Sequence, residues 1–281
     1  MIRDFGIEDT EKLYGFINKM DPGYEMDDVL NIEENARKCI VYFLEKNIVG
    51  LAYATKSIND ANELEMEISI YVEPQKRMSG IGTALFKKLE SYLVDLEPDI
   101  LSTYVRVNIN DSGEFFNKMG FHKWWGSPEL IYKGNTFKNV DLDLITYDDE
   151  HFEQFVKVVQ ESYYELHKTN DLKPYLVSPD MVSTYKLNHK ENVYVALKNE
   201  QIVASVTIGK GTIDNLMVSP AYQGMGYGKE ALQFGMNELL NRGFHEIRIC
   251  YMEGNTAAEK LYLALGFKPL KNTHVYRKLI N

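Results

Sequence analysis

Apolar and polar positions alternate with a period of two over Glu65–Val72 and again over residues 246–252, the pattern of half-buried strands. Between such runs the spacing changes to that of a helix face. After a cap at Asp9 or Thr10, Leu13, Phe16, Ile17 and Met20 share one side. Asp21-Pro22-Gly23 breaks that helix, and a polar, acidic one is expected over Asp27–Lys38. Cys39–Leu44 and Ile48–Tyr53 read as strands across the Glu45-Lys46-Asn47 turn. A helix from Gly82 turns Leu85, Leu89, Tyr92 and Leu93 inward. A strand over Ile100–Ile109, a short helix over Gly113–Met119 and a strand at Leu130–Tyr132 complete the series.

A short polar link, Gly134-Asn135-Thr136, follows, and the series restarts. Val140–Ile145 is a strand. Asp148-Asp149 opens a helix carrying Phe152, Phe155, Val156, Val159 and Tyr163. Residues 170–190 are less regular, with a helix over Met181–Leu187. Val193–Leu197 and Ile202–Val206 form a hairpin, and Thr212–Val218 runs into a glycine-rich loop. The next helix presents Ala231, Leu232, Gly235 and Leu239. A strand near 246–252, a helix capped by Asn255 and ended by Gly266, and a strand over His274–Ile280 close the chain.

The loop carries the chemistry. Leu216-Met217-Val218 ends at Pro220, and Gly224, Gly226 and Gly228 then alternate with Met225 and Tyr227 ahead of a helix. Strand, glycine loop and helix make an anion seat, because glycine lets N–H groups approach a ligand and the first helical N–H groups are unpaired. A P-loop would place Gly at Gln223 and Ser or Thr at Glu230, and neither is present; Gly226-x-Gly228-x-x-Ala231 is a partial dinucleotide fingerprint. The bare alternative is a glycine-rich turn without a ligand. The same loop occurs earlier as Arg77-Met78-Ser79-Gly80-Ile81-Gly82. Val72, Pro74, Arg77, Gly80, Gly82, Leu93, Gly120 and Phe121 lie 146 residues before Val218, Pro220, Gln223, Gly226, Gly228, Leu239, Gly266 and Phe267. A constant offset over that length marks an internal repeat.

The pattern Gln/Arg-x-x-Gly-x-Gly/Ala at Gln223–Gly228, with Asn255-x-x-Ala258-x-x-x-Tyr262 and Leu265-Gly266-Phe267 downstream, resembles the GNAT superfamily of acetyl-CoA-dependent N-acetyltransferases. The resemblance covers nearly the whole chain and implies two tandem GNAT-like domains, 1–137 and 138–281. Their expected class is α+β, each a mixed, mostly antiparallel sheet flanked by helices. It further implies acetyl-CoA as acyl donor, its pyrophosphate on the backbone of Gln223, Gly224, Met225, Gly226, Tyr227 and Gly228. The pantetheine would run along Leu216, Met217 and Val218, with Asn255 close to the thiol or acting as a plain cap. Tyr262 is the implied general acid, since a phenol stays protonated at neutral pH and can give its proton to a leaving thiolate.

At the same offset Tyr262 becomes Phe116 and Asn255 becomes Ile109, between Asn108 and Asn110. The first half therefore keeps a loop, Arg77 to Gly82, that is a possible second cofactor site, and lacks the hydroxyl. It is expected to transfer nothing or to transfer slowly, or to be purely structural. Asp214 and Glu253 are candidate bases, with a water-mediated base equally open. Tyr163, Tyr164, His167, Tyr175 and Tyr185 lie where the family shapes its acceptor site, and they also fit a half-buried amphipathic surface.

Net charge is −10, which argues against nucleic acid and is compatible with a cationic amine, or serves solubility alone. No apolar run approaches a bilayer span, and the first residues do not read as a signal peptide. Cys39 and Cys250 sit one in each half on apolar strands, without the spaced partners of a zinc site, and are expected to be buried free thiols in a cytoplasmic protein. The expected function is acetyl transfer to a small-molecule or peptide amine in the second half, with no metal, no membrane and no nucleic acid. The alternatives are acyl-CoA sensing without turnover, O-acyl transfer or a longer acyl donor.

Overall fold

The computed structural model describes residues 1–20, 32, 34–108, 111–138 and 140–280. The expected break at Asp21-Pro22-Gly23, most of the expected acidic helix, and Ile109 with Asn110 lie outside these residues. The chain resolves into two compact units, Met1–Val105 with Ser112–Lys123 and Val275–Asn281, and Arg106–Asp111 with Trp124–His274.

The first unit is built from β1 (Ile2–Asp4), α1 (Thr10–Met20), β2 (Ala36–Leu44), β3 (Asn47–Ile58), β4 (Leu64–Val72), α2 (Ile81–Leu93), β5 (Ile100–Arg106) and α3 (Gly113–Lys118). Its strands run β1-β2-β3-β4-β5. The first three pairings are antiparallel, and β4–β5 is parallel. Leu13, Phe16 and Ile17 of α1 are buried with Val41, Phe43 and Leu51 of the sheet. In α2, Leu85, Leu89 and Leu93 are buried as their spacing requires, whereas Tyr92 is half-buried and donates from its hydroxyl to the carbonyl of Arg37 at 3.2 Å. Residues 36–38, expected to finish a helix, are strand instead: Ala36 and Lys38 pair with Thr55 and Ala54.

The second unit holds most of β6 (His122–Tyr132), then β7 (Ile145–Thr146), α4 (Phe152–Thr169), α5 (Pro179–Lys186), β8 (Val193–Lys198), β9 (Gln201–Ile208), β10 (Thr212–Val218), α6 (Tyr227–Asn241), β11 (Ile247–Cys250), α7 (Thr256–Ala264) and the first part of β12 (Lys268–Leu279). Strand order is β12-β6-β11-β10-β9-β8-β7. The β10–β11 pairing is parallel, whereas β6–β11, β9–β10, β8–β9 and β7–β8 are antiparallel. Each unit is thus an α+β mixed sheet, as expected.

Two boundaries differ for physical reasons. The strand expected over Val140–Ile145 shrinks to Ile145–Thr146, which pair with Val195 and Tyr194. Leu142 and Leu144 still pack into the core, so alternation reported burial rather than a hydrogen-bonded ladder. Helix α5 begins at Pro179, two residues before the expected Met181. Ser178 Oγ accepts from the Met181 N–H at 3.2 Å, and proline suits the first helical position. The two cysteines form no disulfide, as expected, but neither is buried; Cys39 is intermediate and Cys250 exposed. No helix among the described residues is long and apolar enough to cross a membrane.

Candidate active site

In the second unit β10 and β11 pair only at Thr212–Arg248 and Ile213–Ile249. Beyond them β10 continues to Val218 against β9 alone, so the edge from Asn215 to Val218 carries backbone groups without a β11 partner. The β10–β9 register also slips between Ile213 and Asn215, leaving Asp214 as an extra residue. Such a bulge turns the following side chains to the other face. Leu216 and Val218 accordingly pack in the cluster under α6, and Met217 in the cluster under α4 and α5.

The strand then enters the loop. Pro220–Tyr222 makes one tight helical turn, and Gln223 Nε2 donates back to the Val218 carbonyl at 3.3 Å. Gly226 caps α6 at φ 94°, with no neighbour where a Cβ would stand. Gly228 serves a different purpose: a Cβ there would meet Val218 Cγ2 at 3.1 Å, so the helix start lies close on the strand. Among the described residues, the N–H groups of Gly224, Met225, Gly226, Tyr227 and Gly228 take no protein acceptor. Unpaired donors at the N-terminus of a fifteen-residue helix suit a phosphate anion.

The first unit repeats this geometry. Arg77 Nε donates to the Val72 carbonyl at 3.1 Å, as Gln223 does to Val218. Gly80 caps α2 at φ 85°, and Met78 takes the left-handed position of Gly224 while fully exposed. Ser79, Ile81 and Gly82 complete a loop of the same form. β4 and β5 likewise pair only from Glu65–Ile100 to Glu67–Ser102. The bulge is missing, however: β3 and β4 pair in unbroken register from Gly50–Val72 to Ile58–Leu64.

Tyr262 and Phe116 hold equivalent places. The Phe267 N–H donates to the Tyr262 carbonyl at 3.1 Å, and the Phe121 N–H to the Phe116 carbonyl at 3.0 Å. Tyr262 is only 5% exposed, with Tyr251 and Phe267 rings at 5.9 and 6.0 Å. Its hydroxyl takes no hydrogen bond among the described residues. Burial, helped by the neighbouring Tyr163, Cys250 and Tyr251, pushes this phenol well above its ordinary range, so it holds its proton. Asn255 Oδ1 accepts from the Ala258 N–H at 3.1 Å and caps α7. Asn108, its near-counterpart, instead bridges the backbone of Leu270 and Asn272.

The candidate bases separate. Glu253 lies against Gly126 of β6 and within 3.6 Å of His274 Nε2. Asp214 is exposed at the bulge and accepts from Thr212 Oγ1 at 2.5 Å. Of the acceptor-region residues, Tyr163 donates to Asn215 Oδ1, and its ring lies tilted beside that of His167 at 5.7 Å. Desolvation raises the Tyr163 phenol to about 12. Burial lowers His167, while its bond to the Tyr175 backbone opposes that shift. Tyr185 is exposed, and Tyr164 faces Lys168 Nζ at 5.6 Å. Sequence reasoning missed Asn215 and Lys186, which stand with Tyr163; only the polar Asn215 in an apolar strand could have signalled them.

Two family models match in succession: an acetyltransferase (GNAT) domain over residues 3–144 and the acetyltransferase (GNAT) family over 152–267. The chain is a tandem GNAT acetyltransferase. As such it is an acyltransferase. Among structures, this GNAT chain resembles the GCN5-related N-acetyltransferase from Sphaerobacter thermophilus, with TM-score 0.72, 16% identity, and 99% and 95% of the two chains covered. It also resembles a tandem GNAT protein from the clavulanic acid biosynthesis pathway, with TM-score 0.62, 13% identity, and 99% and 98% covered. At these identities the likeness concerns the fold. A [ribosomal protein bS18]-alanine N-acetyltransferase from Haemophilus ducreyi is 33% identical over 91 residues, 30% of this chain and 63% of that relative's length.

Proposed function

We propose that the second GNAT repeat transfers an acetyl group from acetyl-CoA directly to an amine. The observation that carries this reading is the coincidence in one repeat of three features: the unpaired N–H groups of Gly224 to Gly228, the unpartnered β10 edge, and the buried, protonated Tyr262. In this reading the loop from Gln223 to Gly228 seats the pyrophosphate. The edge over Leu216, Met217 and Val218 holds the pantetheine as an added strand would be held. Fixing the donor beside the amine supplies much of the rate. Tyr262 keeps its proton until the thiolate leaves and then donates it. Asn255 caps α7 with its oxygen and keeps its Nδ2 donor for the thiol end of the site.

The first repeat, 1–137 in this division, has the loop Arg77, Met78, Ser79, Gly80, Ile81 and Gly82 without the bulge or the hydroxyl, which supports cofactor holding without ordinary transfer. The second, 138–281, carries the catalysis. The acceptor is a small-molecule or peptide amine; the ribosomal relative acts on a protein alanine, which favours neither for this chain. Two free thiols support a cytoplasmic setting.

Calorimetric titration of the full chain with acetyl-CoA tests the assignment. Gly80 and Gly226 have similar left-handed geometry and open space, so glutamate at each is a matched pair. The expected result is binding lost at the second-repeat site in Gly226→Glu and kept there in Gly80→Glu. A second equivalent that disappears only in Gly80→Glu would assign cofactor holding to the first loop. Absence of any binding would sink the acyl-CoA reading.

A further inference from the structure

Lys186 ends α5 half-buried, and makes no ion pair or hydrogen bond among the described residues. The end of a helix favours a cation, but no carbonyl accepts from this one. Its Nζ rests over the ring of Tyr163 at 4.7 Å. The carboxylate that acts on it, Asp214, is bonded to Thr212 and stands beyond ion-pair reach. A half-buried ammonium without a counter-ion in contact is a ready seat for a negative charge.

The hydroxyl of the same tyrosine meets Asn215. Asn215 is 6% exposed, and its Oδ1 accepts from Tyr163, while Nδ2 is buried without an acceptor among the described residues. His167, whose ring lies tilted beside that of Tyr163, also has a buried Nδ1 without a partner among the described residues. Tyr163 is close enough to Tyr262 to act on its phenol. A cation and an amide donor thus flank one ring beside the hydroxyl assigned to the acid. Buried donors in native proteins are nearly always satisfied, so a donor left open calls for an explanation, of which a ligand is one.

We propose that Lys186 and Asn215 Nδ2 bind a carboxylate of the acceptor, so that the substrate class is an amine that also bears a carboxylate, such as a free amino acid. The inference rests on the transfer reading above and narrows its acceptor. Lys186 supplies the charge, Asn215 fixes the orientation through a hydrogen bond, and the Tyr163 ring forms the floor. An amine whose carboxylate is blocked as an amide still offers a carbonyl oxygen to Asn215 but brings no negative charge to Lys186, and is disfavoured on that account.

The test measures thiol release from acetyl-CoA by the full chain. Acceptors are each of the twenty amino acids, the corresponding α-amides, and an alanine-first peptide with an amidated C-terminus, with acetyl-CoA binding read calorimetrically on the same preparation. The expected result is turnover of one or more free amino acids and poor turnover of their amides. Lys186→Met should raise KM about 10- to 100-fold for the carboxylate acceptor with little change in kcat, and Lys186→Arg should restore much of the loss. Asn215→Asp, which sets a like charge in the seat, should act in the same direction. Amides or the peptide turned over as well as free amino acids would overturn the proposal, as would an unchanged KM in folded Lys186→Met. Acetyl-CoA binding with no turnover of any amino acid would overturn the carboxylate seat and spare the cofactor assignment; no acetyl-CoA binding would remove both.

Discussion

Tyr262 and Phe116 differ by one oxygen at matched turns of the two repeats, with matched backbone bonds to Phe267 and Phe121. Tyr262→Phe should therefore keep the fold, since the hydroxyl has no protein partner to lose, and should lower kcat by about 10²- to 10⁴-fold if the phenol is the acid. Steady-state kinetics beside thermal melting separates the two effects. The tyrosines also set an alkaline limit. Burial raises Tyr163 and Tyr147 to about 12, against about 10 in an unfolded chain. A raised phenol adds stability that is whole below pH ~10 and is lost as pH rises toward the folded value. Urea midpoints should hold to about pH 10 and fall above it, and Tyr147→Phe with Tyr163→Phe should flatten that fall. The pair Tyr262 and Phe116 was legible in the sequence because a motif and a repeat fixed its position. Lys186 was not, because a lysine near the end of a short helix looks the same whether it faces water or a ring.

At the level of elements, the spacing of apolar residues was a sound guide wherever burial and hydrogen bonding coincide, as in α1, α2 and β10. It failed at Val140–Leu144, where side chains enter the core but the backbone has no neighbour to pair with. It could not show the bulge at Asp214 either, since one extra residue in a strand leaves the alternation looking merely imperfect. Helix α6 owes its close seat to Gly235, where a Cβ would meet Val206 Cγ2 at 2.8 Å and Ile213 Cδ1 at 3.1 Å. Gly235→Ala gains about 1 kcal/mol of helix propensity and incurs about 1–3 kcal/mol of overpacking against β-branched neighbours. The expected outcome is a net loss of about 1 kcal/mol, read from denaturant midpoints. Gly15, which has open space in α1, should stabilise on the same change.

At the level of the whole molecule, the sequence repeats and the compact units do not coincide. Residues Trp124 to Tyr132 precede the link at Gly134 yet belong to the second unit, and Val275 to Ile280 end the second repeat yet belong to the first unit. Val275 and Tyr276 are buried there, and Lys278 pairs with Glu90 at 2.6 Å. Nothing in hydrophobic spacing reports which sheet a strand joins, so this exchange was not legible in the sequence. Halves expressed separately as 1–137 and 138–281 should each lack a strand and be poorly soluble or unfolded, while co-expression should recover a folded pair. Circular dichroism and size-exclusion chromatography of the two halves alone and together check this.

The exchange also sets an order in time. A ribosome adds roughly 5–20 residues each second. The first unit cannot complete its sheet until Val275 to Ile280 have been made, long after its other strands have emerged. An early-made sheet therefore waits, with β5 uncovered on one side, for about ten seconds or more. Chaperone demand during synthesis should fall on the first half, although both halves share one ancestry of pattern.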